Sequence, residues 1–121
     1  MLVTGAAGSI GSEIVRQVLH FRPSKVVLVD QAESPLYELE LDVKTHYSLF
    51  LPLLEVVVAD VSDRSRMQTV FERFGPQVVF HAAAYKHVPL MEEHPYEAVR
   101  VNIGGTSNLA SLSLEHEVEK F

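Results

Sequence analysis

Residues 2–11 read Leu-Val-Thr-Gly-Ala-Ala-Gly-Ser-Ile-Gly, a short strand-forming run that breaks into three glycines spaced three positions apart. The stretch predicts a β-strand over Leu2–Thr4, a turn opened by Gly5, and a helix from Ser9 to His20. In a strand–turn–helix setting each glycine has its own task. Gly5 permits the tight turn, Gly8 lets a phosphate approach the backbone, and Gly11 lets the helix pack closely on the strand. Free N–H groups and the dipole at a helix start then bind an anion, beside Ser9 and Ile10. No Gly-Lys-Ser/Thr follows, so the turn is not a Walker A loop. A glycine-rich turn that holds no ligand is the structural alternative.

Outward from this turn, dense valine marks further strands at Lys25–Asp30, Leu54–Asp60 and Gln77–His81. Continuous apolar runs of this kind suit parallel strands covered on both faces. Between them, Ser9–His20 sets Ile10, Ile14, Val18 and Phe21 along one helical face. Ser34-Pro35 reads as a helix start with serine as cap and Leu36, Leu39 and Val43 as the inward stripe. Asp63 opens a helix carrying Met67, Val70, Phe71 and Phe74, and Gly75-Pro76 stops it. Pro95 opens a last long helix reaching about Glu115, and Leu109, Leu112 and Leu114 on it suit either core or subunit contact. Tyr47–Leu53 reads as a short connection and Ala82–His94 as a longer loop. The alternation predicts an α/β fold, a Rossmann-like doubly wound parallel sheet, with residues 1–121 as one domain. The first strand is short for a central one, and Val118–Phe121 reads as the approach to a fifth. Both features lead us to expect part of a longer enzyme.

Two acids sit at strand ends. Asp30 follows Gly11 by 19 positions, where a carboxylate accepts both ribose hydroxyls of an adenosine and repels a 2′-phosphate. The turn and the acid together predict a bound nicotinamide dinucleotide, NAD in preference to NADP, and Gln31 brings no positive charge for a 2′-phosphate. Capping of the next turn is the alternative for Asp30. Asp60-Val61, ending the third strand, suits contact with adenine, with capping of the helix near Asp63 as the alternative. Ala82, Ala83 and Ala84 are small enough to let backbone approach the cofactor's ribose and nicotinamide, or simply to pack tightly.

Composition narrows the function classes. The chain has 121 residues, no cysteine, 47% hydrophobic residues and a formal net charge of −6. Disulfide frameworks, thiol nucleophiles and cysteine-ligated zinc are excluded. The acidic balance argues against nucleic acid and anionic membrane as partners. No run of ~20 apolar residues or leader is present, which predicts a cytoplasmic protein. The six histidines show no paired metal-ligand spacing, so no metal is expected.

Longer strings then carry a resemblance. LVTGAAGSIGSE (2–13), VDQAESPLYELE (29–40), VVVADVSDR (56–64) and, most specifically, FHAAAYKHVPLMEEHPYEAVRVNIGGTSNL (80–109) resemble the extended short-chain dehydrogenase/reductase superfamily. Within it the chain is similar to the polysaccharide-biosynthesis branch of nucleotide-sugar 4,6-dehydratases and epimerases, over nearly its whole length. The resemblance implies a domain that presents a UDP-linked amino sugar to bound NAD. Enzymes of this branch oxidise C4 by hydride transfer, eliminate water across C5 and C6, and return the hydride at C6; epimerising members instead act at C5 or elsewhere on the ring.

Position by position, Gly5, Gly8, Ser9, Ile10 and Gly11 match the pyrophosphate turn and Asp30 the ribose acid. Asp60 and Val61 match the adenine contacts, and Ala82 to Ala84 the nicotinamide side. Asn102 falls in the family's N-x-x-G-T string with Gly104, Gly105 and Thr106, where helix glycines imply close packing on strand or cofactor. Lys86 and His87 fall in Y-K-H-V-P, which borders the sugar site in such relatives; a solvated lysine and a packed histidine are the alternatives. The resemblance also implies a homo-oligomer, and relatives with membrane helices ahead of this domain, which would set the protein at the cytoplasmic face of the inner membrane.

One departure stands out. The family's catalytic Y-x-x-x-K does not occur, because Tyr37, Tyr47, Tyr85 and Tyr96 are followed four positions on by Leu41, Leu51, Pro89 and Arg100. The catalytic residues are therefore unknown in this chain, which is expected to be inactive alone. A non-catalytic dinucleotide-binding module and a UDP-hexose 4-epimerase remain the alternatives.

Overall fold

Four β-rich runs become four parallel strands: β1 (Leu2–Thr4), β2 (Val26–Asp30), β3 (Leu54–Val58) and β4 (Val79–His81). Their order across the sheet is β3-β2-β1-β4, with Leu2 opposite Val27 on one side and Val79 on the other. The structure is a computed structural model that describes residues 1–47 and 53–121. Most of the predicted connection Tyr47–Leu53 lies outside the described residues. β3 ends two residues before the predicted Asp60, because Asp60 turns the chain, its carboxylate accepting from the Ser62 N–H and its carbonyl from the Asp63 N–H. β4 begins later than predicted, although Val78 bridges in parallel to Lys120. The approach to a further strand thus runs along the outer side of β4.

The helices cover both faces of the sheet. α1 (Ser9–His20) and α2 (Glu33–His46) close one core, in which Val3, Val15, Leu19, Leu28, Leu36 and Val43 are fully buried. α3 (Arg64–Phe74) and α6 (Thr106–Glu115) close the other around Leu2, Val29, Met67, Phe71, Leu109 and Leu112. A parallel sheet clad on both faces in this way is the doubly wound, Rossmann-like arrangement expected from the alternation.

Several local expectations need correction. The inward face of α1 is Gly11, Val15, Val18 and Leu19, while Ile10 and Phe21 are 67% and 80% exposed. Both sets fit helical spacing; the one containing glycine faces inward because α1 lies too close to the β1 turn for a larger residue. α2 starts at Glu33, not at a Ser34 cap, since the Asp30 carboxylate already takes the Ala32 N–H and begins the turn early. Asp63 caps α3 by accepting from the Arg66 N–H, and Gly75 ends it in the left-handed region at φ +50°. The loop after β4 contains a short helix, α4 (Val88–Glu93). The last long helix is α5 (Pro95–Ala98), a π-helical segment (Val99–Gly105) and α6 in unbroken succession. Of its three leucines, Leu109 and Leu112 are core and Leu114 is exposed.

Among the described residues Phe71 is the largest fully buried side chain, and it joins α3 to the sheet and α6. Truncating it removes both its transfer energy and its packing, so Phe71→Ala is expected to lose about 3–5 kcal/mol in urea denaturation. Phe21→Ala, at the exposed residue that follows α1, is expected to stay within about 0.5 kcal/mol.

Candidate functional site: a cleft at the carboxyl ends of the strands

β1 has neighbours on both sides whose connections leave in opposite directions, so a crevice opens above its carboxyl end. The turn after β1 and the turn after β4 meet there. Gly5 takes φ +65°, and a Cβ on it would lie 2.4 Å from the Ala83 nitrogen and 2.6 Å from the Ala82 oxygen. On the other side, a Cβ on Gly11 would lie 1.9 Å from the Gly5 carbonyl oxygen. Backbone therefore forms the floor, with no side chain to hold a ligand away. The N-cap Gly8 is extended and brings no side chain to the start of α1, whose first N–H groups lack intrahelical acceptors.

Above this floor lies a cleft of about 220 Å³. It gathers Gly5, Gly8, Asp30, Asp60, Val61 and Ala82 to Ala84, all singled out from sequence, together with Gln31, Tyr85 and Val101. Asp30 sits at its β2 side. One carboxylate oxygen accepts from the Ala7 N–H at 2.9 Å and the other from the Ala32 N–H at 3.0 Å. Each keeps an acceptor site, so the group caps a turn and still offers two parallel acceptors.

Asp60 does not cap α3. Its Oδ1 accepts from the Ser62 N–H and hydroxyl, both at 2.8 Å, and its Oδ2 from Arg100 Nη1 at 2.8 Å. Burial alone would raise the Asp60 carboxyl, but these hydrogen bonds outweigh it and hold it below the ordinary carboxylate value.

Other sequence candidates lie away from the cleft lining. Gly11 works beneath it as a spacer, and the Ile10 side chain faces outward. Ser9 accepts from Lys86 Nζ at 3.2 Å, which sets the Lys86 ammonium at the glycine turn. His87 is exposed at the start of α4. Asn102 grips backbone: its Oδ1 accepts from the Tyr85 N–H at 2.8 Å and its Nδ2 donates to the Tyr85 carbonyl at 2.9 Å. Gly105 has the close packing expected of it, since a Cβ there would lie 2.6 Å from Val61 Cγ2; Gly104 has none. Sequence reasoning missed Arg100, Ser62 and the hydrogen bond from Gln31 to the Tyr85 hydroxyl at 3.2 Å. The described residues gather no group of three or more metal-ligating side chains.

Behind the cleft a relay ties β1, β4 and α6. The Thr106 hydroxyl donates to the Asn102 carbonyl at 2.6 Å, so it accepts from His81 Nε2 at 3.0 Å. His81 Nδ1 then accepts from the buried Thr4 hydroxyl at 2.7 Å. Burial lowers the His81 pKa and favours this neutral tautomer.

Comparison with known proteins agrees with this geometry. A family described as polysaccharide biosynthesis protein matches residues 1–121. The chain belongs to that family. It is 47% identical over 121 residues to the capsular polysaccharide biosynthesis protein CapD of Staphylococcus aureus, covering all of this chain and 20% of the relative. It is 30% identical to the inverting UDP-N-acetylglucosamine 4,6-dehydratase of Campylobacter jejuni, covering 99% of this chain and 34% of that enzyme. Among solved structures, the UDP-glucose 4-epimerase of Thermus thermophilus in complex with NAD superposes with a TM-score of 0.80. The two are 28% identical, and the match covers 97% of this chain and 34% of that one. The chain thus spans a fifth to a third of these relatives. In this family member no described helix is long and apolar enough to cross a membrane.

The relay carries a pH dependence. As pH falls below the ordinary histidine value of 6.5, the unfolded chain takes up a proton that folded His81 resists. Stability should fall with pH from there until the lowered folded value is passed. Denaturation midpoints between pH 7 and about pH 5 should show this slope, and His81→Gln should flatten it.

Proposed function

We propose that this chain is the NAD-holding part of a UDP-N-acetylhexosamine 4,6-dehydratase or epimerase of polysaccharide biosynthesis. The observation that carries the proposal is the Asp30 carboxylate, with one acceptor free on each oxygen, facing a cleft floored by glycine backbone. The ribose hydroxyls of an adenosine fit those two acceptors, and a 2′-phosphate would be repelled, which favours NAD over NADP. The pyrophosphate fits the glycine turn, whose Gly5 lets the β1 turn pack directly on the Ala82–Ala83 backbone and whose Gly8 brings no side chain to the start of α1. The name of the Campylobacter relative supports a UDP-linked amino sugar, and the NAD complex of the Thermus epimerase supports the cofactor.

On this reading each part of the chain has a task. Free N–H groups at the start of α1 bind the pyrophosphate, and Lys86, at the same turn, adds a positive charge facing the sugar nucleotide. His87 borders the sugar side. Ala82 to Ala84 admit the nicotinamide ribose, and Asn102 acts through Tyr85, holding the backbone that follows. When bound, the nicotinamide supplies a hydride acceptor that returns what it takes. The proton-transferring tyrosine and lysine of such enzymes are not among these 121 residues, so the chain by itself binds and does not turn over sugar. The longer protein is proposed to act in the cytoplasm or at the cytoplasmic face of the membrane. It is proposed to pair through the helix that exposes Tyr96, Val99 and Ile103.

Calorimetric titration with NAD and NADP tests the proposal. We expect NAD to bind more tightly, and Asp30→Ala to weaken it tenfold or more through loss of two charge-assisted hydrogen bonds. Preference for NADP would overturn the reading of Asp30. No binding of either by the folded protein would overturn the dinucleotide assignment.

A further inference from the structure

Arg100 lies on the π-helical segment, and its partners form a closed ring at the β3 side of the cleft. Its Nε and Nη2 donate to Glu97 Oε2 at 3.1 and 2.9 Å, which fixes the guanidinium plane. Its Nη1 donates to Asp60 Oδ2 and to the Ser62 hydroxyl, and that hydroxyl donates in turn to Asp60 Oδ1. An ionised carboxylate has about four acceptor positions. Ser62 fills both on Oδ1 and Arg100 fills one on Oδ2. A single acceptor remains, on a carboxylate that can no longer rotate.

We propose that Arg100 and Ser62 make Asp60 a one-point acceptor and thereby set the cleft's preference for adenine over guanine. The inference rests on the dinucleotide reading above. Adenine presents one amine to a neighbouring acceptor, and one acceptor suffices for it. Guanine presents two adjacent donors, its ring N–H and its amine, and needs both oxygens of a carboxylate side by side. With Oδ1 saturated, that fork has nowhere to bind. Arg100 and Ser62 are thus positioning residues that act on the base through Asp60.

The test is the ratio of affinities for NAD and nicotinamide guanine dinucleotide, measured by calorimetry on the natural full-length protein freed of bound nucleotide. We expect the unaltered protein to favour NAD by about tenfold or more, the worth of a well-made base contact. The double variant Ser62→Ala, Arg100→Gln should narrow that ratio about tenfold. Arg100→Lys, which keeps a cation against Oδ2, should retain most of it. A purely structural role for the ring would weaken both dinucleotides alike and leave the ratio unchanged, so an unchanged ratio in the double variant overturns the inference. If the double variant does not fold, Ser62→Ala alone decides, because it frees an Oδ1 acceptor and leaves Arg100 in place. Equal affinity for the two dinucleotides in the unaltered protein would also overturn it. Failure of the unaltered protein to bind either one would instead sink the dinucleotide reading, and this inference with it.

Discussion

A methyl group at position 11 would lie 1.9 Å from the Gly5 carbonyl oxygen, and the packing that leaves no room for it shapes the whole cleft. Helix α1 can rest on the β1 turn only because Gly11 lacks a side chain. The Ala82–Ala83 backbone presses on the same turn from its other side. Three backbone segments, from β1, α1 and β4, converge with nothing between them. A ligand in the cleft therefore meets peptide dipoles directly, in a place where any side chain would have held it at arm's length.

The rear of the cleft is held by polar contacts as well as by the apolar packing of Val61, Ala83, Tyr85 and Val101. The line from Thr4 through His81 and Thr106 to the Asn102 carbonyl joins the central strand to the last helix. The Asn102 side chain carries it on to both backbone polar groups of Tyr85. Every hydroxyl and ring nitrogen in the line has a partner, so this partly buried chain avoids the cost of orphaned polar groups. It leaves the Ala82–Tyr85 backbone anchored at one end by Thr4, through the Ala82 N–H, and at the other by Asn102.

The sheet, the glycine turn and the placement of the strand-end acids at the cleft were legible in the sequence because they depend on residue type at a fixed distance from a strand end. Valine runs, glycine spacing and Asp30 need no knowledge of what lies opposite them. The face of α1 was not legible: Ile10 and Phe21 are more hydrophobic than Gly11, and only tertiary contact decides that glycine is the inward residue. The part played by Arg100 was equally hidden, since its partners Asp60 and Ser62 stand 40 and 38 positions away with no local pattern between them. Asn102 was picked out from its string, but that string says nothing of whether its amide faces a ligand or a neighbouring backbone. The π-helical segment gave no periodic signal because its flanks keep ordinary helical spacing.

That segment has a consequence for how the chain can change length. A π-turn accommodates one residue more than an α-turn while the helix on either side continues. Losing one residue between 99 and 105 could therefore relax the segment to α-helix and leave Leu109 and Leu112 pointing into the core. Losing one from α6 would instead rotate all that follows by about 100°, a single residue's share of a 3.6-residue turn. The wide turn is thus the one joint of this long helix where length and facing are uncoupled. The residue carried there is Asn102, whose two hydrogen bonds to the Tyr85 backbone start from this segment.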